Sequence, residues 1–560
     1  MYIFLCSFLC LHLSDLAVTV PSTSQQRQTI TIPNQNGTIS DYFCGNLSSI
    51  ITNGTTLELN PDEQHVISGQ SCVWQNRENV TVQSSRGNVA TILCHNTTRG
   101  MLGLVQAKGI TLRNLKFENC GGPIKHASGD GHSETIVPPN TSSAYAIENN
   151  QQAVLFLSHC TNVTIENVIF NSYSGYAIFA INMFGDTTLQ QVMVTNSYAF
   201  VNGITSSSGM DLTHSGSGIY FQFIDKVLTS VLSANNSVTI KDCMITNNFN
   251  IYPDYLLKRL LRTRLQNQRA DFLVYGAGGL TVHLEQTKYK VQLYIKNTHF
   301  TSNGGSAGGG SYINTLNTLG NSYVVFNKTT FVSNSIHNNS GYFEGAGLKL
   351  FFDFYFPLTH HCTVSAEKTH ALPTVTVTNS TFQNHSAKLG AAMAIFTEPQ
   401  NIATIKVDLK NLTFIDNEAT IDGDCIAAQS EDSAYYSEAG FYFNLESIQV
   451  MQMLSGSQSD HDSSAALSFT NIDFVYLRGT NKNPSVISNG NDGAVRAFNT
   501  NLFLSGSVQF INNFAFRGGA IALEANSHLF FKESAYVLFL NNSASKGGAL
   551  TQTSSVAISV

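Results

Sequence analysis

The sequence predicts an all-β chain wound as a right-handed parallel β-helix of roughly 12 or more coils. Three observations carry this. Phe510-Ile511-Asn512-Asn513 is followed by Gly518-Gly519-Ala520-Ile521, and Phe539-Leu540-Asn541-Asn542 by Gly547-Gly548-Ala549-Leu550, with the same spacing inside each unit and 29 residues between units. A fixed period of this size marks a solenoid. Segments such as Thr111–Phe117, Val163–Val168 and Val375–Thr378 alternate apolar and polar residues and are rich in β-branched side chains, which reads as strand. Helical periodicity is nearly confined to Asp254–Arg269, where Leu256, Leu257, Leu260, Leu261 and Leu265 share a face beside Lys258, Arg259, Arg262, Arg264 and Arg269.

Taken in order, Tyr2–Leu13 is a short apolar run of signal-peptide length, so residues 1–20 are expected to be a signal and 21–45 a polar segment or cap. The β-helix is expected over 46–560, with insertions near 121–150, 250–272, 350–372 and 430–465. Phe-x-x-Asn recurs at Phe300/Asn303, Phe331/Asn334, Phe414/Asn417, Phe510/Asn513 and Phe539/Asn542. Met193/Asn196 and Met244/Asn247 read as variants of it, and Phe117, Phe170, Phe382 and Phe474 as anchors with the Asn shifted or lost. Phe is expected to point inward and stack from coil to coil. Asn is expected to take left-handed backbone and form amide ladders, and Gly-Gly to turn the corner. A β-propeller needs four strands per blade, more than this period holds.

Composition bounds the function. The net charge of −7 gives no reason to expect nucleic acid as a partner, and no later segment is long and apolar enough to span a bilayer. Charged residues are 12%, against about 25% in ordinary globular chains, while 42% apolar content argues against disorder. Asn-x-Ser/Thr sequons abound; Asn79, Asn96, Asn140, Asn162, Asn327, Asn379 and Asn411 are the glycosylation candidates. With Cys6 and Cys10 in the signal, eight cysteines remain for an oxidising compartment. Cys44 and Cys72, and Cys94 and Cys120, are each about one coil apart. A coil step of about 4.8 Å lies within the Cα range of a disulfide. These two pairings are therefore expected, and Cys160, Cys243, Cys362 and Cys425 stay open.

At the Phe-x-x-Asn and Gly-Gly-Ala-Ile/Leu units the sequence resembles the repeats of chlamydial polymorphic membrane proteins, which are surface adhesins and autotransporters. The stretch Gly109–Gly122 resembles large secreted β-helix proteins of marine invertebrates. The resemblance implies a β-helix scaffold at a cell surface, and these repeats are structural rather than catalytic.

No chemistry stands out as a motif. The Asn-Thr-Asp, Asp-Asp, Gly-His-Gly and Arg-x-Lys pattern of polygalacturonases is missing, as is the acidic cluster of calcium-dependent pectate lyases. Asp422-Gly423-Asp424 reads as a turn. Asp460-His461-Asp462 and Asp130-Gly131-His132 lie in Ser/Gly-rich loops, and His360-His361 lacks further zinc ligands. Trp74, the only tryptophan, reads as core. The expectation is therefore a secreted or cell-surface, non-enzymatic scaffold for adhesion or recognition of an extracellular protein or glycan. It would have no catalytic residue, metal or cofactor and no nucleic-acid partner. The alternative is a divergent polysaccharide-active lyase or hydrolase, whose sign would be three or more carboxylates stacked on one face of adjacent coils. Non-reducing peptide mapping tests the disulfide expectation: Cys94 and Cys120 emerge in one linked peptide, and free thiols at both would disprove the pairing.

Overall fold

The computed structural model describes the chain from residue 28 to 559, apart from 34–36, 69–71, 96–101, 121–152, 174, 201–203, 207–208, 212–217, 225–235, 252–275, 286–289, 306–307, 317–321, 337–344, 354–373, 398–405, 416, 423–425, 431–464, 476–493, 499, 525–527, 533–534 and 553–557. The signal-like start, the Leu/Arg helix and most of the expected insertions fall outside the described residues.

The described strands form two long sheets of 26 and 13 strands, parallel throughout, the architecture of a parallel β-helix. One coil shows the plan. Ala153–Ser158 lies in the second sheet, and His159 turns the corner with φ 55°. Thr161–Asn171 then runs along the first sheet and bends at Asn167, φ 50°. Ser172 turns again, and Tyr176–Ile181 returns to pair with Ala153–Ser158 in parallel, Tyr176 facing Ala153. Along Thr161–Asn171 the residues Val163, Ile165, Val168 and Phe170 are buried, as period-two alternation requires. The ladder begins early in the chain, with Thr29–Ile32 pairing Thr56–Leu59. A short helix, Ile39–Phe43, packs Ile39, Tyr42 and Phe43 into the core, and Trp74 donates Nε1–H to the Phe43 carbonyl at 3.0 Å. The Cys44–Cys72 and Cys94–Cys120 disulfides join Cα atoms 4.6 and 4.8 Å apart. Cys160 and Cys243 are buried thiols, pushed up to about 11 by loss of hydration.

The repeat positions align in register. Phe117 pairs Phe170, and the column continues through Val194, Ile245, Phe300, Phe331, Phe382, Phe414, Phe474, Phe510 and Phe539. Rings stack nearly parallel where Phe meets Phe: centroids lie 4.9 Å apart for Phe300–Phe331, 4.7 Å for Phe331–Phe382 and 5.1 Å for Phe510–Phe539. Two expected anchors are corrected by one residue. Met244 is 43% exposed, and the column runs through Val194 and Ile245, so its polar partners are Ser197 and Asn248 rather than Asn196 and Asn247.

The motif Asn forms the amide ladder expected, Asn303 Nδ2 donating to Asn334 Oδ1 at 3.1 Å, but it does not take the left-handed backbone. Asn303, Asn334, Asn417 and Asn513 are buried, and the left-handed residue is the one before: Ser302, Ser333 and Asn512 have φ of 52°, 51° and 58°. Each amide reaches back one coil. Asn334 Nδ2 donates to the Phe300 carbonyl at 2.8 Å, Asn417 Nδ2 to that of Phe382 at 3.0 Å, and Asn542 Nδ2 to that of Phe510 at 2.8 Å. The Oδ1 atom accepts the backbone N–H of its counterpart below, as Asn334 does from Asn303 at 3.0 Å. A second amide ladder runs along the left-handed corners, Asn379 Nδ2 to Asn327 Oδ1 at 3.0 Å and Asn411 Nδ2 to Asn379 Oδ1 at 2.9 Å. The glycine corner is steric: Gly518 has φ 51°, and a Cβ on Gly519 would lie 2.4 Å from the Gly548 carbonyl oxygen.

One coil breaks the buried column. After Phe382, His385 occupies the Asn position, its Nδ1 accepting the Asn334 backbone N–H at 3.2 Å. Burial holds this imidazole neutral and lowers its pKa to about 4.

Two outcomes follow from these columns. Asn334→Leu leaves the Phe300 carbonyl and the Asn303 N–H without partners, so it lowers stability by about 1–3 kcal/mol, whereas Asn411→Ala, on the outer ladder, costs a few tenths. Hydrogen exchange of the adjoining coils measures the difference. His385 is depressed in the folded chain, so the unfolded chain binds the extra proton. Its contribution is therefore full above the unfolded pKa of about 6.5 and falls as pH drops toward 4, a loss on the order of 3 kcal/mol. His385→Asn restores the residue that the column uses elsewhere. Thermal melts at pH 8 and pH 5 check this: the variant loses less stability on acidification than the parent, and equal losses would refute the assignment.

Candidate functional site on the second sheet

The inward rows of both sheets are filled by the core, so chemistry has only the outward rows. On the second sheet, Leu280–Glu285 sends Leu280, Val282 and Leu284 inward, which leaves Thr281 and His283 on the outer side. Parallel register sets Thr281 beside Tyr312 and His283 beside Asn314 on Ser311–Leu316, then Tyr312 beside Lys349 and Asn314 beside Phe351 on Leu348–Asp353. Toward the N-terminal coils the same rows carry Phe156, Phe179, Tyr220 and Gln222.

The result is an aromatic wall that ends in a polar group. Phe156–Phe179, Phe179–Tyr220 and Tyr220–His283 stack with ring centroids 5.8, 4.8 and 5.4 Å apart, and His283 meets Tyr312 edge-on at 5.7 Å. Lys349 Nζ lies 5.9 Å from the rings of both Tyr312 and Phe351. Asn314 Nδ2 lies 3.4 Å from His283 Nδ1. His283 and Lys349 are 8% and 3% exposed, and Asn314 and Phe351 are half-exposed. The next coil fills the register position of Lys349 with Ala394. His283, Asn314 and Lys349 thus stand on outward places of three successive strands, beside the rings of Tyr312 and Phe351.

A second polar group is structural. Ser158 Oγ lies 2.8 Å from His159 Nδ1, a nucleophile-and-base distance. Asn182 Nδ2 lies 3.4 Å from His159 Nε2, so both ring nitrogens are engaged within the coil corner.

The residues singled out from sequence scatter. Trp74 is core, as expected. Asp422 ends the strand Glu418–Asp422, while Gly423 and Asp424 lie outside the described residues, as do Asp130-Gly131-His132, His360-His361, Asp460-His461-Asp462, Cys362 and Cys425. Among the described residues no group of three or more His, Cys, Asp or Glu is gathered to hold a metal, and no helix is long and apolar enough to cross a membrane. Of the sequons, Asn79, Asn162, Asn327, Asn379 and Asn411 sit at exposed or half-exposed coil corners, and Asn96 and Asn140 fall outside the described residues. Sequence reasoning missed His283 and Lys349; the available signal was a His and a Lys at outward places of alternating strands.

No protein-family model matches the chain, and neither does any curated protein. Among solved structures it is similar to the A-module of the Azotobacter vinelandii mannuronan C-5 epimerase AlgE4, at 9% identity over 90% of both chains and a TM-score of 0.31. It is also similar to the Agl-KA catalytic domain, at 12% identity over 94% of this chain and 69% of that one with a TM-score of 0.37. A third is a PL6 alginate lyase in complex with a trisaccharide, at 10% identity over 90% and 85% with a TM-score of 0.31. The expectation of a non-enzymatic scaffold is corrected by this finding, since these structures are polysaccharide-active enzymes; a phage tailspike receptor-binding domain and a Streptococcus pneumoniae adhesin are similar in fold too. At these scores the likeness is one of fold, and a substrate for this chain has to be argued from its own residues.

Proposed function

We propose that the chain is a polysaccharide-active β-helix protein, a lyase or hydrolase, whose site is the outer row of the second sheet at His283, Asn314 and Lys349. The observation that carries this reading is the buried Lys349 ammonium beside the Tyr312 and Phe351 rings, on an outward row whose aromatic members Phe156, Phe179, Tyr220 and Tyr312 are themselves buried. Lys349 supplies the charge that a uronate carboxylate or a developing oxyanion needs in a low-dielectric place. His283 serves as donor to a sugar oxygen through a ring N–H. Tyr220 and Tyr312 fix the imidazole from both sides, and the half-exposed Asn314 and Phe351 form the edge by which a saccharide reaches the row. Secretion is part of the proposal: two disulfides suit an oxidising compartment. The likeness of the repeats to chlamydial polymorphic membrane proteins concerns scaffold residues and adds nothing to this reading.

The test is a panel of alginate, pectate and α-1,3-glucan incubated with the full secreted chain. Unsaturated uronyl products indicate a lyase and new reducing ends a hydrolase. Lys349→Ala, a residue the neighbouring coil tolerates at that place, and His283→Gln each lower the rate by about a hundredfold, with unchanged far-ultraviolet dichroism. Neither product from any polymer, or full activity in both variants, would sink the proposal.

A further inference from the structure

A second outward surface lies on the first sheet. Strand Val291–Lys296 buries Val291, Leu293 and Ile295, so Lys290, Gln292, Tyr294 and Lys296 line its outer side. Register sets Lys296 directly beside Lys241 of Asn236–Lys241 and Gln292 beside Tyr323 of Tyr323–Asn327. Lys296 Nζ lies 5.0 Å from the Tyr294 ring centroid, and Lys290 Nζ 4.7 Å from that of Tyr323. Tyr294 donates its hydroxyl proton to Gln292 Oε1 at 3.2 Å, which joins the two aromatic groups. Gln292, Tyr294, Tyr323 and Lys290 are half-exposed, and Lys241 and Lys296 are exposed.

Like charges directly opposite on neighbouring strands destabilise a sheet. Here Asp242 offsets Lys241, with the Nζ to carboxylate distance 3.5 Å, while Asn297 holds the same carboxylate through its other oxygen at 2.7 Å. No carboxylate among the described residues is paired with Lys290 or Lys296. The chain as a whole carries a net charge of −7, so a cationic and aromatic surface over three coils runs against its overall balance. Rings give a sugar an apolar face, cations give acidic groups a partner, and the coil step of about 4.8 Å is close to the length of one pyranose residue.

We propose that Lys290, Tyr294, Lys296 and Tyr323 form a docking surface for an anionic polysaccharide, separate from the second-sheet row and independent of whether that row turns the polymer over. Calorimetric titration of the intact chain with alginate, dextran sulfate and neutral dextran tests it. At least one anionic polymer binds, more weakly as salt is raised, and neutral dextran does not; the response to alginate against dextran sulfate tells carboxylate from sulfate recognition. Lys290→Gln/Lys296→Gln and Tyr294→Ala/Tyr323→Ala each weaken binding about tenfold, while Lys410→Gln, in the same outward row farther along the helix, leaves it unchanged. Equal binding of neutral dextran, or full affinity in the Lys290/Lys296 variant, would overturn the surface and leave the second-sheet site untouched.

Discussion

The structure depends on how a coil corner satisfies its own backbone. Between corners, strands bond to the coils above and below, but at the corner the ladder lapses and polar groups would be buried without partners, which is expensive. Where an Asn follows the core residue by three places, it solves this with a single side chain. Its Nδ2 takes the carbonyl of the neighbouring Phe and its Oδ1 takes the neighbouring Asn N–H, so Asn248, Asn303 and Asn334 form one continuous buried chain of amides. Because both bonds span one coil, the column locks register as well as satisfying the groups. The Phe stack beside it then fills a core of constant width.

Once register is fixed at the corner, the length of chain between corners is free. That is why units 29 residues apart coexist with neighbours more than 50 apart, such as Asn196 and Asn247, whose amides still meet at 3.5 Å. Tyr173 shows the tolerance of the scheme. It sits at the same place after Phe170, and its hydroxyl reaches Asn248 Oδ1 at 3.0 Å, across a coil whose own residue, Ser197, is too short to fill the gap.

The fold was legible because its determinants are local and repeated. Phe, Asn and Gly at fixed offsets state the coil, and the strand alternation states its walls. The frame was less legible where asparagines crowd: Asn247-Asn248 offers two candidates, and only the pairing of Ile245 with Phe300 selects the second. His385 was hidden because it breaks the letter of the motif while keeping its place three residues after a stacked Phe. The candidate site was not legible at all. Its members come from strands dozens of residues apart, and each strand taken singly looks like any other alternating strand of the coil.

That contrast also says where selection for function can act. Inward rows are bound by packing, and the corner column by hydrogen bonding, so their residues carry little freedom. Outward rows are bound less uniformly, although on the second sheet Phe156, Phe179, Tyr220 and Tyr312 are buried as well. Lys349 stands where the next coil carries Ala394, and Lys296 faces Lys241 across a rung where Thr378 stands beside Asn327 two coils on. Both are cations set beside aromatic rings, on different sheets. A ligand with repeated negative charge and flat apolar faces complements either place, and a polymer of acidic sugars has both properties.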